Sequence, residues 1–515
     1  MARNLFNSIQ LKKPKKNFFD LTHDVKLSAN IGELTPILTL ECVPGDKFDL
    51  SCESIVRFAP MTAPVMHRFD VSMHYFFVPN RILWSNWEPF ITDSANAGGT
   101  GVEYVAPYLS FSASDVRILR LCNYLGLPYQ EFGVSGLETR VSALPFAAYQ
   151  AIYNEYYRDQ NLVLPVPFKL TDGNNSSNGE LVEMRIRAWE HDYFTSALPF
   201  AQKGAAVDIP LGQIAENAPI YRDSSSVTPT TLTGSPYSVV VPGSNSPTTS
   251  TDLFAATGGL EVEPTTINDL RRAYRLQEWL EKNARGGTRY VESILSHFGV
   301  KSSDARLQRP EYITGVKTPI VISEVLNTSG TFSSSDPTDP TSPPQGNMAG
   351  HGIGVSSGRA GTYYCEEHGY IIGVMSVLPK TAYQQGIPRT FLKSEPLDYY
   401  WPSFANIGEQ EVKVKELFAW TNNGDDTFGY VPRYAEYKYM PSRVAGDFAN
   451  SLDYWHAGRI FSTEPTLSQE FIECNPDDTS RIFAVTDGDT QKLYCHVLNK
   501  IKALRPMPKY GTPTI

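Results

Sequence analysis

The sequence predicts a mainly β protein, an antiparallel β-sandwich whose inter-strand connections have grown into helix- and loop-containing insertions. Three observations predict it. Aromatics, proline and glycine are abundant (28 Tyr, 26 Phe, 37 Pro, 37 Gly) while only 19% of residues are charged, which suits short strands and many turns better than a helical bundle. Strand signals stand at both ends of the chain. Between them, two stretches rich in Ser, Thr, Pro and Gly flank the strongest helical pattern. An eight-stranded antiparallel jelly roll is the natural member of this class.

The first thirty residues carry Arg3, Lys12, Lys13, Lys15, Lys16 and Lys26 against Asp20 and Asp24, six cations minus two anions. Pro14 interrupts the lysines, so residues 1–30 read as an extended arm rather than a helix. Residues 31–515 read as one domain. Thr35 to Val43 is a strand leading into a Pro44-Gly45-Asp46 turn, and Lys47 to Phe58 returns from it. Arg68 to Val78 is the clearest strand. Phe69, Val71, Met73, Tyr75 and Phe77 alternate with Arg68, Asp70, Ser72 and His74, the two-residue period of a half-buried strand.

Ala143 to Gln160 reads as a helix with Tyr149, Ile152, Tyr153 and Tyr156 on one side, and Leu181 to Ala188 as a strand. Residues 203–263 are too poor in large apolar side chains to supply a core, so they form a surface insertion; residues 327–361 form a second long loop. Between them Thr266 opens the strongest helix, with Asp269 three residues on. Leu270, Ala273, Leu280 and Ala284 share one side, Glu278 and Lys282 pair at i,i+4, and Arg285-Gly286-Gly287 ends it. Thr288 to Phe298 is a second helix. Tyr370 to Leu378, Arg481 to Val485 and Leu493 to Leu498 are further strands. There is no internal repeat.

Little in the chain suggests catalysis. Glu190-His191-Asp192 places two acids beside a histidine, but neighbouring side chains diverge and cannot converge on one substrate atom. Glu366-Glu367-His368 reads as a solvated turn. Gly350-His351-Gly352-Ile353-Gly354 sits in a loop without the strand and helix that a dinucleotide fingerprint requires. The six cysteines show no metal spacing and read as reduced thiols, and no cofactor is expected. The net charge of −10 argues against a basic nucleic-acid binder as a whole. Leu5 to Leu11 is too short and mixed for a signal peptide, and no stretch approaches the roughly 20 apolar residues of a membrane span.

Two clusters invite a binding role. The basic residues Arg3, Lys12, Lys13, Lys15 and Lys16 are either a solvated tail or a contact with a nucleic-acid backbone, with Phe18 and Phe19 beside them as base-stacking or anchoring groups. Arg285, Arg289, Arg306 and Arg309 surround the Gly-Gly junction, and Tyr430, Arg433, Tyr434, Tyr437 and Arg443 form an aromatic-basic group. Tyr and Arg are the residues enriched at protein interfaces, which favours subunit contacts for both.

Long motifs then point to a family. Thr266 to Val300, Ala148 to Leu162 and Phe428 to Phe448 closely resemble the major capsid protein of the Microviridae, small single-stranded DNA phages, and most closely its gokushovirus-like branch. Phe19-Asp20-Leu21-Thr22-His23, Pro44-Gly45-Asp46, His191 to Pro199 and Arg505 to Gly511 extend the resemblance along most of the chain. It implies a viral-type jelly roll and a T=1 icosahedral shell of sixty copies around a circular single-stranded DNA genome. It also implies a scaffolding protein and a small basic DNA-binding protein as partners. In gokushovirus-like members an insertion forms a protrusion at each three-fold axis. Here residues 203–263 are the candidate, with Ser224, Thr228, Thr230, Tyr237, Asn245 and Thr251 as candidate contacts to a host receptor. The competing expectation is a jelly-roll carbohydrate-binding or hydrolytic module, with paired carboxylates on a concave sheet.

Overall fold

The computed structural model describes residues 15–92, 104–112, 120–128, 138–204, 267–286, 308–326, 348–358, 361–485, 487 and 490–510, with short pieces at 220–221, 233–235, 238–240, 254–255 and 296. Residues 1–201 with 303–515 make one compact unit and residues 202–302 another.

The first unit is organised by ten strands: β1 (Asn17–Asp20), β2 (His23–Ala29), β3 (Thr35–Cys42), β4 (Lys47–Phe58), β5 (Phe69–Pro79), β6 (Glu311–Leu326), β7 (Met348–Ser357), β8 (Gly361–Tyr364), β9 (Gly369–Pro379) and β10 (Leu493–Arg505). They form one curled antiparallel sheet in the order β1-β10-β4-β7-β6-β5-β9-β3, with β2 also on β10 and β8 also on β4. The jelly-roll class holds. The long strand β6 turns the sheet back on itself: Glu311 to Ile320 pair with β5, and Val321 to Leu326 pair with β7.

The two halves joined by β6 enclose the main core. Phe48, Leu50 and Val56 of β4 and Val497 and Ile501 of β10 meet Phe69, Val71 and Met73 of β5 and Ile371 and Met375 of β9. Each such buried side chain contributes about 1.5–3 kcal/mol of transfer free energy. One polar chain crosses this core. Tyr75 donates its hydroxyl to Asn499 Oδ1 at 2.8 Å, and Asn499 Nδ2 donates to the Ile37 carbonyl at 2.9 Å, so no buried polar atom of that asparagine is wasted.

Several sequence expectations change. Strand β5 is buried on both faces, not half-buried, because Phe76 and Val78 face a second core built around helix α1 (Leu144–Ile152). Ala147, Ala148 and Ala151 let that helix lie close, and it continues through a π-turn over Tyr153–Tyr157. Leu181 to Ala188 is not a strand. Its backbone is shared singly between two partners, bridging Glu33 through Ile186 and Glu473 through Ala188. Arg481 to Val485 is likewise not a strand, since a 3-10 turn over Pro476–Ile482, capped by Asn475, occupies its start.

The glycine motif at 350–354 lies inside β7, not in a loop. A Cβ at Gly350 would meet the Ala63 carbonyl at 2.3 Å, and one at Gly352 the Phe58 ring at 2.9 Å. Glycine therefore lets the neighbouring core press onto the strand, and it erases the apolar alternation by which a strand is read. The basic arm also has more order than expected from Asn17 onward. β1 and β2 pair with β10, and Phe19 packs on the main core while Phe18 stays exposed.

In the second unit, helix α2 (Ile267–Gly286) ends at the expected glycine. Glu278 pairs with Arg275 and not with Lys282. Thr266, and Thr288 to Phe298 apart from the helical Ser296, lie outside the described residues. All six cysteines are buried, and none is in a disulfide. Among the described residues no helix is long and apolar enough to cross a membrane.

Candidate assembly surface

A third core stands apart from the sheet. The hairpin Glu409–Lys413/Thr427–Pro432 supplies Val412, Phe428 and Val431, which pack with Tyr193, Phe194, Tyr383 and Phe471. Two charged clusters fasten this lobe. Asp70 of β5 receives Lys317 at 3.2 Å and Lys380 at 3.1 Å, and both lysines also reach Glu190. Burial pushes the Glu190 carboxyl up, but hydrogen bonds from Lys317 and Lys380 outweigh it and hold the pKa down at about 2. Asp192 lies inside, accepting from the Phe194 and Thr195 amides at 2.9 and 2.8 Å and from the Tyr383 hydroxyl at 2.7 Å. The acid-histidine-acid triplet is therefore split between a lysine cluster and a loop cap. Its groups do not converge.

The aromatic-basic group is brought together, in unequal roles. Tyr434, only 2% exposed, adopts a left-handed backbone (φ 62°); its hydroxyl donates to the Tyr399 carbonyl at 3.3 Å and accepts from the Trp401 amide at 3.2 Å. It is a post inside its own lobe rather than a contact residue. Arg433 donates to the Leu397 carbonyl at 3.0 Å and lies over the Tyr434 ring. Tyr437 stands outward beside them. Tyr430 is half-buried on the hairpin, exchanging backbone hydrogen bonds with Leu198 at 2.8 and 2.9 Å, and Arg443 is exposed. Arg309 pairs with Glu155 of its own chain at 3.3 Å.

The Arg285 side chain, Arg289 and Arg306 lie outside the described residues, as do Arg3, Lys12 and Lys13 and the loop positions Ser224, Thr228, Thr230, Tyr237, Asn245 and Thr251. Lys15 is exposed. Lys16 is engaged at home: its ammonium donates to the Gly45 carbonyl at 2.6 Å and lies 5.1 Å from the Tyr364 ring centroid.

Sequence reasoning missed the neighbouring segment 391–401, where Phe391, Leu397, Tyr399, Tyr400 and Trp401 are all about half exposed or more. A signal was available. Six large apolar or aromatic residues, Leu392 included, crowd a Pro-containing stretch with neither a helical nor a strand period.

The family model described as capsid protein (F protein) matches residues 7–515. The chain belongs to that phage capsid family. It is 35% identical to capsid protein VP1 of Bdellovibrio phage phiMH2K, over 96% of this chain and 94% of the relative. It is 32% identical to capsid protein VP1 of Chlamydia phage 1, over 100% and 98%, and 30% identical to that of Spiroplasma virus 4, over 96% and 94%. The molecule is thus a capsid protein, a structural component of the virion that assembles with other subunits, and not an enzyme.

Largely enclosed histidines are expected to make this capsid protein acid-sensitive. His67 donates from Nε2 to the Lys380 carbonyl at 2.6 Å, and His74 pairs with the Tyr157 hydroxyl at 2.8 Å; burial pushes both pKa values down to about 4. His456 is lowered too, chiefly by burial. Its Nδ1 accepts from the Gly458 amide at 2.9 Å while Nε2 faces the Phe448 carbonyl, an arrangement open only to the neutral ring. Between pH 6.5 and 4 the unfolded chain binds protons at His67 and His74 and the folded chain does not. Their stabilising effect is full above pH 6.5 and falls as pH drops toward 4, by on the order of 2–3 kcal/mol per buried histidine. Urea unfolding of the subunit at stepwise pH tests this. His456→Gln, which removes the titrating ring and can still donate to the Phe448 carbonyl, is expected to flatten part of the slope, and an unchanged slope contradicts the assignment.

Proposed function

We propose that this capsid protein closes a T=1 shell of sixty copies around a circular single-stranded DNA genome. The observation that carries the reading is the end-to-end match to phage capsid proteins, spanning nearly the full length of three VP1 relatives. Assembly rather than turnover is the mechanism. A closed shell multiplies individually modest interfaces, so small free energies per contact suffice. Loops make most contacts, because the inner faces of the sheet are consumed by their own core.

Arg3, Lys12, Lys13 and Lys15, with Lys16 as the anchor at the base of the arm, face the genome and neutralise phosphate without reading sequence. The same virus supplies a scaffolding protein and a small basic DNA-binding protein, which suits a shell subunit of net charge −10. Residues 203–263 form the outward protrusion and contact the host receptor; supporting this, they fall within the separate compact unit 202–302. Arg285, Arg289, Arg306, Arg309, Tyr430, Arg433, Tyr437 and Arg443 lie at subunit contacts.

Deleting Ser224 to Thr251 tests the division of labour. Particles are expected to assemble in normal yield and to adsorb poorly to host cells. Loss of assembly would make the insertion structural, and normal adsorption would remove its receptor role.

A further inference from the structure

Within the described residues, one face of the third-core lobe stays bare although everything beneath it is fixed. Phe391, Leu397, Tyr399, Tyr400, Trp401 and Met440 are exposed by between 49% (Trp401) and 90% (Met440). Together they present on the order of 700 Å² of mostly apolar surface, taking about 200 Å² for a large side chain. Solitary soluble proteins rarely leave such a patch uncovered. A standard interface takes about 800 Å² from each partner, so this face alone nearly supplies one side.

The face is also rigid before anything docks on it. Beneath it Lys393 and Glu436 form an ion pair at 3.2 Å, with side chains only 4% and 7% exposed. Gln410 donates to Glu436 at 2.8 Å and accepts from the Tyr434 amide at 3.0 Å. The Lys393 ammonium sits 3.9 Å from the Tyr437 ring centroid and 5.5 Å from that of Tyr399. Tyr400 meets Tyr434 edge-on with centroids 5.0 Å apart, and Trp401 donates its indole N–H to the Pro396 carbonyl at 2.8 Å. Aromatic side chains held this way lose little freedom on burial, the condition under which they become energetic centres of an interface.

We infer that this face, the segment Phe391–Trp401 laid against Tyr437–Met440, is a principal contact with a second copy of the chain. The inference rests on the capsid reading, which guarantees identical neighbours, and its area matches what one stable subunit contact requires. Apolar surface facing water throughout the life of a shell would instead favour clumping of finished particles.

The six native cysteines are all buried, so an introduced surface thiol can be followed by itself. Leu397→Cys and Met440→Cys are made separately, and DNA-free shells assembled with the viral scaffolding protein and then freed of it are compared with dissociated folded subunits. The probe is a dithiobis(nitrobenzoate) thiol reagent. Both thiols are expected to react at least about tenfold more slowly in shells than in subunits, as groups sealed in an interface core do. A variant that folds yet no longer assembles also supports the inference. Met440 is so exposed that its substitution leaves folding untouched, so a misfolded Leu397 variant does not block the test. Intact shells with both thiols freely reactive overturn this inference and leave the capsid reading standing, whereas failure of the unmodified chain to form shells strikes the capsid reading itself.

Discussion

Replacing Gly32 by alanine is expected to abolish accumulation of folded subunit. Gly32 sits in the left-handed region (φ 84°), and a Cβ there would lie 1.8 Å from the Cys474 carbonyl oxygen. The opposing atom is backbone and cannot swing away. Cys474 is held by its own amide bond to the Arg187 carbonyl at 2.9 Å; Gly32 donates to the Val377 carbonyl at 2.9 Å and accepts from the Arg187 amide at 2.7 Å. Four distant parts of the chain therefore meet at one residue, and moving any of them breaks the others. The left-handed conformation alone costs a non-glycine residue about 1–2 kcal/mol, and the collision adds several more, a large share of the roughly 5–15 kcal/mol that stabilises a domain. Gly173 is the internal control. It has φ 77° with nothing within 4 Å of a would-be Cβ, so Gly173→Ala bears the backbone cost alone. Equal soluble yields and equal urea midpoints for the two variants would contradict this account.

The second large effect is at Asp46. This carboxylate is fully buried and clamped by Arg505, with Nε at 3.2 and 3.1 Å and Nη2 at 2.9 Å; it also accepts from the Val43 amide at 3.0 Å. Arg505 donates onward to the Glu41 carbonyl at 3.0 Å. The pair ties the β3–β4 turn to the end of β10, across nearly the whole length of the chain. Removing one member leaves the other charge buried without its partner, so Asp46→Ala is expected to destabilise the subunit by about 3–5 kcal/mol. Arg505→Ala should cost somewhat less, because the freed carboxylate keeps one amide and can take up water at the turn. The double variant should cost clearly less than the sum of the two. Strict additivity in urea unfolding would show that the two groups do not act as a pair.

Much of this architecture is legible in the residues. β3, β4, β5 and β9 fall almost where alternation and turn chemistry put them, because each carries apolar side chains that must be buried and ends at proline or glycine. The motifs Pro44-Gly45-Asp46 and Arg505-Pro506 stand near opposite ends of the sequence, and the structure shows Asp46 and Arg505 forming one ion pair. β6 and β7 were illegible for a physical reason. β6 is mixed in burial because it serves two half-sheets, and β7 uses Gly350, Gly352 and Gly354 where a strand normally shows side chains. Leu181 to Ala188 misled in the opposite sense, since its apolar spacing suits a strand but only single residues find partners. At the assembly surface, Arg433, Tyr434 and Tyr437 were visible as a cluster. The aromatic face beside them was missed because irregular backbone imposes no period on the residues it displays.

The central claim is that one sandwich of strands carries outgrowths that bind identical copies. Electron cryo-microscopy of the product formed when the chain is expressed with the proposed viral scaffolding protein tests it most directly. The account predicts a closed icosahedral shell of one repeated subunit, with the curled sheet in each copy and its loops forming the subunit contacts. Monomers that persist at high concentration, or a shell whose contacts run through sheet faces while the loops hang free, would contradict it.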